Sequence, residues 1–270
     1  LLRHDLNVES IASGSVSIAT LAAHLGLPIT DIATYRQALQ ALVARHAHEC
    51  VAIKTQHAYA RSLAWVPVDD ETAAVALART LAGHPLTPHE ATVLGDWGLA
   101  VISGAAAVHG LPVKIHTGHH AGNNTMHLEW LSPRLLTPLL RAFPTTHFVV
   151  MHIGYPYHDE VLSLAKHYRN VAVDLCWAWC LDPVATSQFV RAWIHTVPIN
   201  KLYGFGGDAF LPAQTLGYAL QMRQWLTRAL RAEVESGALS VDAACQVATA
   251  ILSENQNSAF AARSTGAAHA

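Results

Sequence analysis

Apolar positions along the chain follow two patterns. Short continuous apolar runs alternate with longer stretches in which apolar residues recur every three or four positions. The first pattern marks strands and the second marks helices. Leu1 to Leu6 reads as the end of a strand. "ECVAIKT" (49–55), "LPVKIHTG" (111–118), "THFVVMHIG" (146–154), "NVAVDLC" (170–176) and "KLYGFGGD" (201–208) read as further strands. Helices are predicted over Ser17–Leu25 and from a Thr30 cap through Ile32, Tyr35, Leu39, Leu42 and Val43. Another starts near Asp70. The next opens at Thr87-Pro88-His89-Glu90, a capping box with proline at the first helical position, and runs to Gly110. Ser132-Pro133, His158-Asp159-Glu160 and Asp182-Pro183 mark three more helix starts. A long helix follows from about Ala213 to Glu235, and a last one starts near Ser240.

Because the strand runs are continuous rather than alternating, both their faces are buried, as in a parallel sheet. The predicted architecture is α/β, a TIM-type (β/α)8 barrel. The chain reads as a single barrel domain over 1–270, with a helical insertion at about 67–110 and a frayed tail at 264–270.

Composition narrows the classes. The chain has 270 residues, and one barrel of this type takes about 250. Hydrophobic residues make up 51% and charged residues 13%, which excludes disorder. With 17 basic and 19 acidic residues there is no basic footprint, so no nucleic-acid partner is expected. No run of about 18 uncharged apolar residues points to a membrane partner. Cys50, Cys176, Cys180 and Cys245 have no paired-ligand spacing and read as reduced thiols of a cytoplasmic protein. The 18 histidines hint at metal binding.

The chemistry sits where strands end. Lys54, His116, His152 and Asp208 each follow an apolar run, and the active sites of parallel barrels open at the carboxyl ends of the strands. A buried ionisable group there is costly unless it is paired or bound to metal. Histidine nitrogen and carboxylate oxygen suit zinc or a similar borderline metal. No G-x-G-x-x-G opens a helix, and there is no G-x-S-x-G elbow and no P-loop, which disfavours dinucleotide, serine-hydrolase and nucleotide chemistry.

With Lys, His, His and Asp on successive strand ends, the segments "VAIKT", "PVKIHTG", "VVMHIGYPYHDEVLSLAKHYRNVAVDL" and "KLYGFGGDAF" resemble the amidohydrolase superfamily. They resemble in particular its amidohydrolase-related branch, which includes uronate-isomerase-like and glutamine-synthetase-fused members. The resemblance covers most of 49–210. It implies that His116 is a metal ligand and that His152 is a second ligand or polarises the substrate carbonyl. It implies that Asp208 ligates metal and shuttles the proton. Lys54 stands where some members carry a carboxylated lysine between two metals; a rim lysine also serves as an anion binder or salt-bridge partner.

The pattern departs from the family at its first strand, which carries His-x-His. The only such pair here, His46-Ala47-His48, ends a predicted helix. With Leu1-Leu2-Arg3 at the start, the barrel is expected to be N-terminally truncated, its first strands missing and five or six parallel strands present.

Further candidates surround the mouth. Arg61 could grip a substrate carboxylate, with Tyr59 and His57 beside it in the loop after Lys54. His119 and His120 follow His116. Trp177 and Trp179 are read as sharing one strand face and walling the pocket or packing; Asp174 is read as paired within the barrel. The implied function is that of a metal-dependent hydrolase acting on an amide, lactone or related bond through a metal-activated water. It would use one or two divalent ions, zinc first, on a small-molecule substrate, and a homo-oligomer is left open. The alternatives are a uronate-isomerase-like or decarboxylase-like enzyme, or an inactive fragment lacking the first-strand pair.

Overall fold

A computed structural model describes residues 4–122 and 124–261. The expected tail at 264–270 and the first residues of the opening strand lie outside them. The chain divides into two compact units. One comprises residues up to Ile115 together with Leu135–His147, and the other comprises His116–Arg134 and Phe148–Ala261.

The first unit holds strand β1 (His4–Asn7), short helix α1 (Glu9–Ala12), α2 (Ile18–Leu25), α3 (Ile32–His46), β2 (Cys50–Thr55), α4 (Asp70–Leu81), α5 (Pro88–Val108), β3 (Val113–Ile115) and α6 (Thr137–Ala142). The second holds β4 (Phe148–Met151), α7 (His158–His167), β5 (Val171–Asp174), α8 (Ala178–Leu181), α9 (Pro183–Thr196), β6 (Leu202–Tyr203), α10 (Pro212–Glu235), α11 (Val241–Thr249) and α12 (Asn255–Ala259). All six strands are parallel to their neighbours within each unit. β1 pairs β2, with Leu6 opposite Ile53, and β2 pairs β3, with Lys54 opposite Lys114. β4 pairs β5, with Met151 opposite Asp174, and β5 pairs β6, with Asp174 opposite Tyr203. The architecture is thus the expected α/β one, with six strands among the described residues.

The continuous apolar runs are buried as parallel pairing requires. Phe148, Val149, Val150, Val171, Ala172 and Val173 are fully inaccessible. β3 and β4 end directly before His116 and His152, whereas β2 runs through Lys54 and β6 stops at Tyr203, five residues before Asp208. Helix starts follow the local chemistry. Thr87 and Glu90 form the expected capping box, with Pro88 at the first position. The α3 cap is Asp31 rather than Thr30: its carboxylate accepts from the Thr34 amide at 2.8 Å, while the Thr34 hydroxyl accepts from the Asp31 amide at 3.0 Å. α5 is long and apolar enough to cross a membrane, yet most of it is buried in this fold. It packs on α1, α3 and α4, which makes it a core helix of the first unit.

Candidate functional site

The second unit holds His116, His152 at the end of β4, the turn at Cys176 after β5, and Asp208 in the segment after β6. His116 follows directly on β3 and His152 directly on β4, and both are buried. Their rings meet edge to face with centroids 4.5 Å apart. His152 Nε2 stands 3.0 Å from His116 Nδ1. His152 Nε2 also lies 3.8 Å from Asp208 Oδ2, and Asp208 is about half exposed, at 47%.

The outer nitrogens fix the tautomers. His152 Nδ1 lies 2.7 Å from the Cys176 carbonyl, and His116 Nε2 lies 3.1 Å from the His119 carbonyl. A carbonyl can only accept, so both outer nitrogens carry hydrogen and donate. In neutral rings the two inner nitrogens then both present lone pairs, 3.0 Å apart. Two facing lone pairs repel unless a proton or a cation lies beside them. Two nitrogens bound at about 2.0–2.1 Å to one tetrahedral ion stand about 3.3 Å apart, close to the spacing found. Backbone carbonyls holding the far nitrogens are also how metal-binding histidines are commonly oriented. Ligand atoms of His152, Cys176 and Asp208 all lie within 4.8 Å of one another. The residues present therefore fit a divalent metal.

Backbone conformation supports the same location. Of the described non-glycine residues with positive φ, four are His152 (63°), Ile153 (50°), Trp177 (61°) and Asp208 (45°). Each costs on the order of 1–3 kcal/mol, and such strain clusters at functional sites. Gly206 and Gly207 precede Asp208, but the left-handed residue is Asp208 itself. Gly206 serves close approach instead: a Cβ there would lie 2.6 Å from Cys176 Sγ. At Gly118, with φ +71°, an added Cβ would lie 2.3 Å from the Tyr155 carbonyl. That position lets the His116 loop run against Tyr155, and the His119 amide donates to the Tyr155 carbonyl at 2.8 Å.

The remaining candidates divide. Trp177 stands beside the site, its ring edge-on to His152 at 5.6 Å. It does not share a strand face with Trp179, however. β5 stops at Asp174, Trp177 is left-handed, and Trp179 is buried in α8 with its indole N–H donating to Gly204 at 2.9 Å. Asp174 accepts from the Cys176 amide at 2.8 Å, which steadies that turn. His119 is half-buried. The His120 ring packs 5.7 Å from His116, and burial, then His119 and His127, lower its pKa.

In the first unit, Lys54 lies on β2 opposite Asn7. Tyr59 is half-buried after β2. Arg61 is buried and committed within the unit. It donates to the Ala12 carbonyl at 2.8 Å and to the Ser62 and Ala64 carbonyls at 3.2 and 3.3 Å, and it pairs Asp96 at 2.8 Å. His46 ends α3 and bonds His24 at 3.2 Å, and His48 is exposed beside Glu49. Cys176, read from sequence as a reduced thiol, is the member of this group that the sequence reading did not single out. It follows the β5 run just as His116 and His152 follow theirs, and that position was the available signal.

Known proteins share this fold and, in part, this sequence. A Lactobacillus casei protein assigned as a metal-dependent hydrolase superposes with TM-score 0.75 at 20% identity, over 96% of this chain and 65% of that one. Uronate isomerase of Thermotoga maritima gives 0.78 at 14% identity, over 95% and 61%. Glucuronate isomerase of Caulobacter crescentus gives 0.74 at 17%, over 96% and 58%. At these identities the likeness is one of fold. In sequence, the protein fluG of Emericella nidulans is 30% identical over 147 residues, which is 54% of this chain and 17% of that protein. The chain thus spans less than two thirds of each of these relatives. The family model described as amidohydrolase matches residues 16–255, nearly the whole described chain, and the chain belongs to the amidohydrolase family.

Proposed function

We propose that the protein is a metal-dependent hydrolase that opens an amide, lactone or related carbonyl bond of a small molecule. Membership of the amidohydrolase family implies a divalent metal. His116 Nδ1, His152 Nε2 and the Asp208 carboxylate would hold it, and zinc suits these donors. Such an ion polarises a carbonyl and makes water nucleophilic near neutral pH. The observation that carries the reading is the pair of inner imidazole nitrogens 3.0 Å apart, with both outer nitrogens bonded to carbonyls.

The chain's own residues then act on protons and orientation. Asp208 is half exposed, so its carboxylate faces both His152 and incoming substrate. It takes the proton of the attacking water as the new C–O bond forms. It returns that proton to the leaving nitrogen or oxygen as the old bond breaks. The Cys176 and His119 carbonyls fix the tautomers, so that in the neutral rings the inner imidazole nitrogens carry the lone pairs. Trp177 supplies an apolar wall beside His152.

A second reading has the same groups move a proton to and from carbon, as in an isomerase. It is favoured by the isomerases among the similar structures. Turnover in ¹⁸O-labelled water separates the two. Hydrolysis places one label in the carboxyl product, whereas isomerisation leaves substrate and product at equal mass. Metal-loaded protein that turns over neither carbonyl esters and amides nor sugar acids would contradict both readings.

A further inference from the structure

We infer that Cys176 is itself a metal donor, its Sγ completing the set formed by His116, His152 and Asp208. The inference rests on the metal-site reading above and adds sulfur to it. Three observations carry it. Ligand atoms of Cys176, His152 and Asp208 lie within 4.8 Å of one another. The residue is buried, and its backbone is fixed at both ends: its amide donates to Asp174 at 2.8 Å and its carbonyl accepts from His152 Nδ1 at 2.7 Å. The backbone after β6 is laid against the thiol, since a Cβ on Gly206 would come within 2.6 Å of Sγ and the Trp177 amide donates to the Gly206 carbonyl at 3.0 Å. The sulfur is therefore held in one place, beside two groups that fit a cation.

Four donors of this kind make a tetrahedral nitrogen, oxygen and sulfur set. Bonds of about 2.3 Å to sulfur and about 2.0–2.1 Å to nitrogen and oxygen require the three groups to draw in by roughly an ångström. Most of that movement is assigned to the Asp208 side chain, which is half exposed. On binding, the S–H bond breaks, its proton goes to solvent and a metal–sulfur bond forms. A thiolate makes the site prefer zinc or cobalt to magnesium, calcium or manganese, which favour oxygen donors. Specificity for the metal is thus assigned to a residue that would otherwise pass as core filling.

The test is titration of the metal-free full chain with Co²⁺ alone. The wild type should develop both the visible bands of tetrahedral cobalt and an intense near-ultraviolet thiolate-to-cobalt band. Cys176→Ser should lose the near-ultraviolet band and bind Co²⁺ about 10²-fold more weakly, at the upper end of what removing even an outer partner of a ligand costs. The Cys245→Ser and Cys180→Ser variants should keep the band. Because Cys176→Ser could misfold, X-ray absorption on wild-type cobalt protein provides a second measure, with a sulfur neighbour expected at about 2.3 Å. Cobalt bound without a sulfur neighbour, or a band that persists in Cys176→Ser, would overturn the role of Cys176 and leave the metal site standing. No cobalt binding by any form would overturn the metal site, and this inference with it.

Discussion

In the first unit Arg61 and Asp96 are both buried and meet at 2.8 Å; in the second, His116 and His152 are both buried and meet at 3.0 Å. From sequence these residues look alike, ionisable groups set among apolar ones near strand ends or in core helices. The partners tell them apart. The Arg61 guanidinium donates to three carbonyls through Nε and Nη1, and its Nη2 stands 2.8 Å from Asp96 Oδ1 as an ion pair. Asp96 in turn accepts from the Val66 amide at 3.2 Å. The two opposite charges of that cluster are paired within it. The histidine pair spends its donors outward, on the Cys176 and His119 carbonyls, and turns two acceptors inward. A closed cluster stabilises one conformation. A cluster with converging lone pairs leaves a place for a proton or a cation, and the proposed metal site rests on that place.

The comparison breaks first at Asp96. Asp96→Ala leaves a buried guanidinium without its carboxylate and should cost about 3–5 kcal/mol of stability, measured by denaturant unfolding. Metal affinity should stay within a factor of about three. Replacing both partners, Arg61→Met with Asp96→Leu, should recover most of the loss, because a well-packed apolar pair often substitutes for a buried ion pair. A double variant as unstable as the single one would show that the pair is not a closed unit.

Asp208→Asn tests the other side of the comparison. It should lower kcat by about 10²-fold or more while the unfolding midpoint hardly moves, since the side chain is half exposed and its removal leaves no buried charge. Unchanged kcat with metal still bound would reduce Asp208 to a ligand or a turn residue.

How far the site could be read from sequence depends on which physical signal each residue carries. His116 and His152 could be singled out because they follow strands directly, whereas Asp208, expected at the end of a strand over 201–208, lies five residues past β6, which stops at Tyr203. The same rule pointed to Arg61, whose hydrogen bond to Ala12 and ion pair with Asp96 span dozens of residues and leave no local trace. Trp177 and Trp179 were placed on one strand face because the apolar run continues through them. The strand ends early because Asp174 turns back to cap the Cys176 amide. The helix boundaries were better read, because Thr87, Glu90 and Asp182 cap through contacts within three residues.

His57 sharpens the contrast through pH. It is buried beside Arg61, and burial first, then the guanidinium charge, hold its pKa well below the usual imidazole value. The unfolded chain therefore binds a proton near pH 6.5 that the folded chain refuses. Stability should fall as pH drops below about 6.5, by about 1.4 kcal/mol per pH unit, until the folded-state pKa is reached. Denaturant midpoints from pH 7.5 to 5.5 check this, and His57→Gln should remove one proton's worth of slope. An unchanged slope would mean that His57 is charged in the fold.

A smaller effect is expected at Gly118. Gly118→Ala places a Cβ against the Tyr155 carbonyl at positive φ and should cost about 1–3 kcal/mol. Because the same loop carries the His119 carbonyl that orients His116, metal affinity should fall as well, in contrast to Asp96→Ala.

The central claim is that the inner nitrogens of His116 and His152 face a metal. Metal-free protein titrated with Zn²⁺ by calorimetry, beside His152→Gln and His116→Gln, tests it most directly. The account predicts at least one ion per chain for the wild type, a weakening of about 10²-fold or more in each variant, and unfolding midpoints that rise with zinc only in the wild type. A wild type that binds no zinc, or variants that bind it as tightly as the wild type, would contradict it.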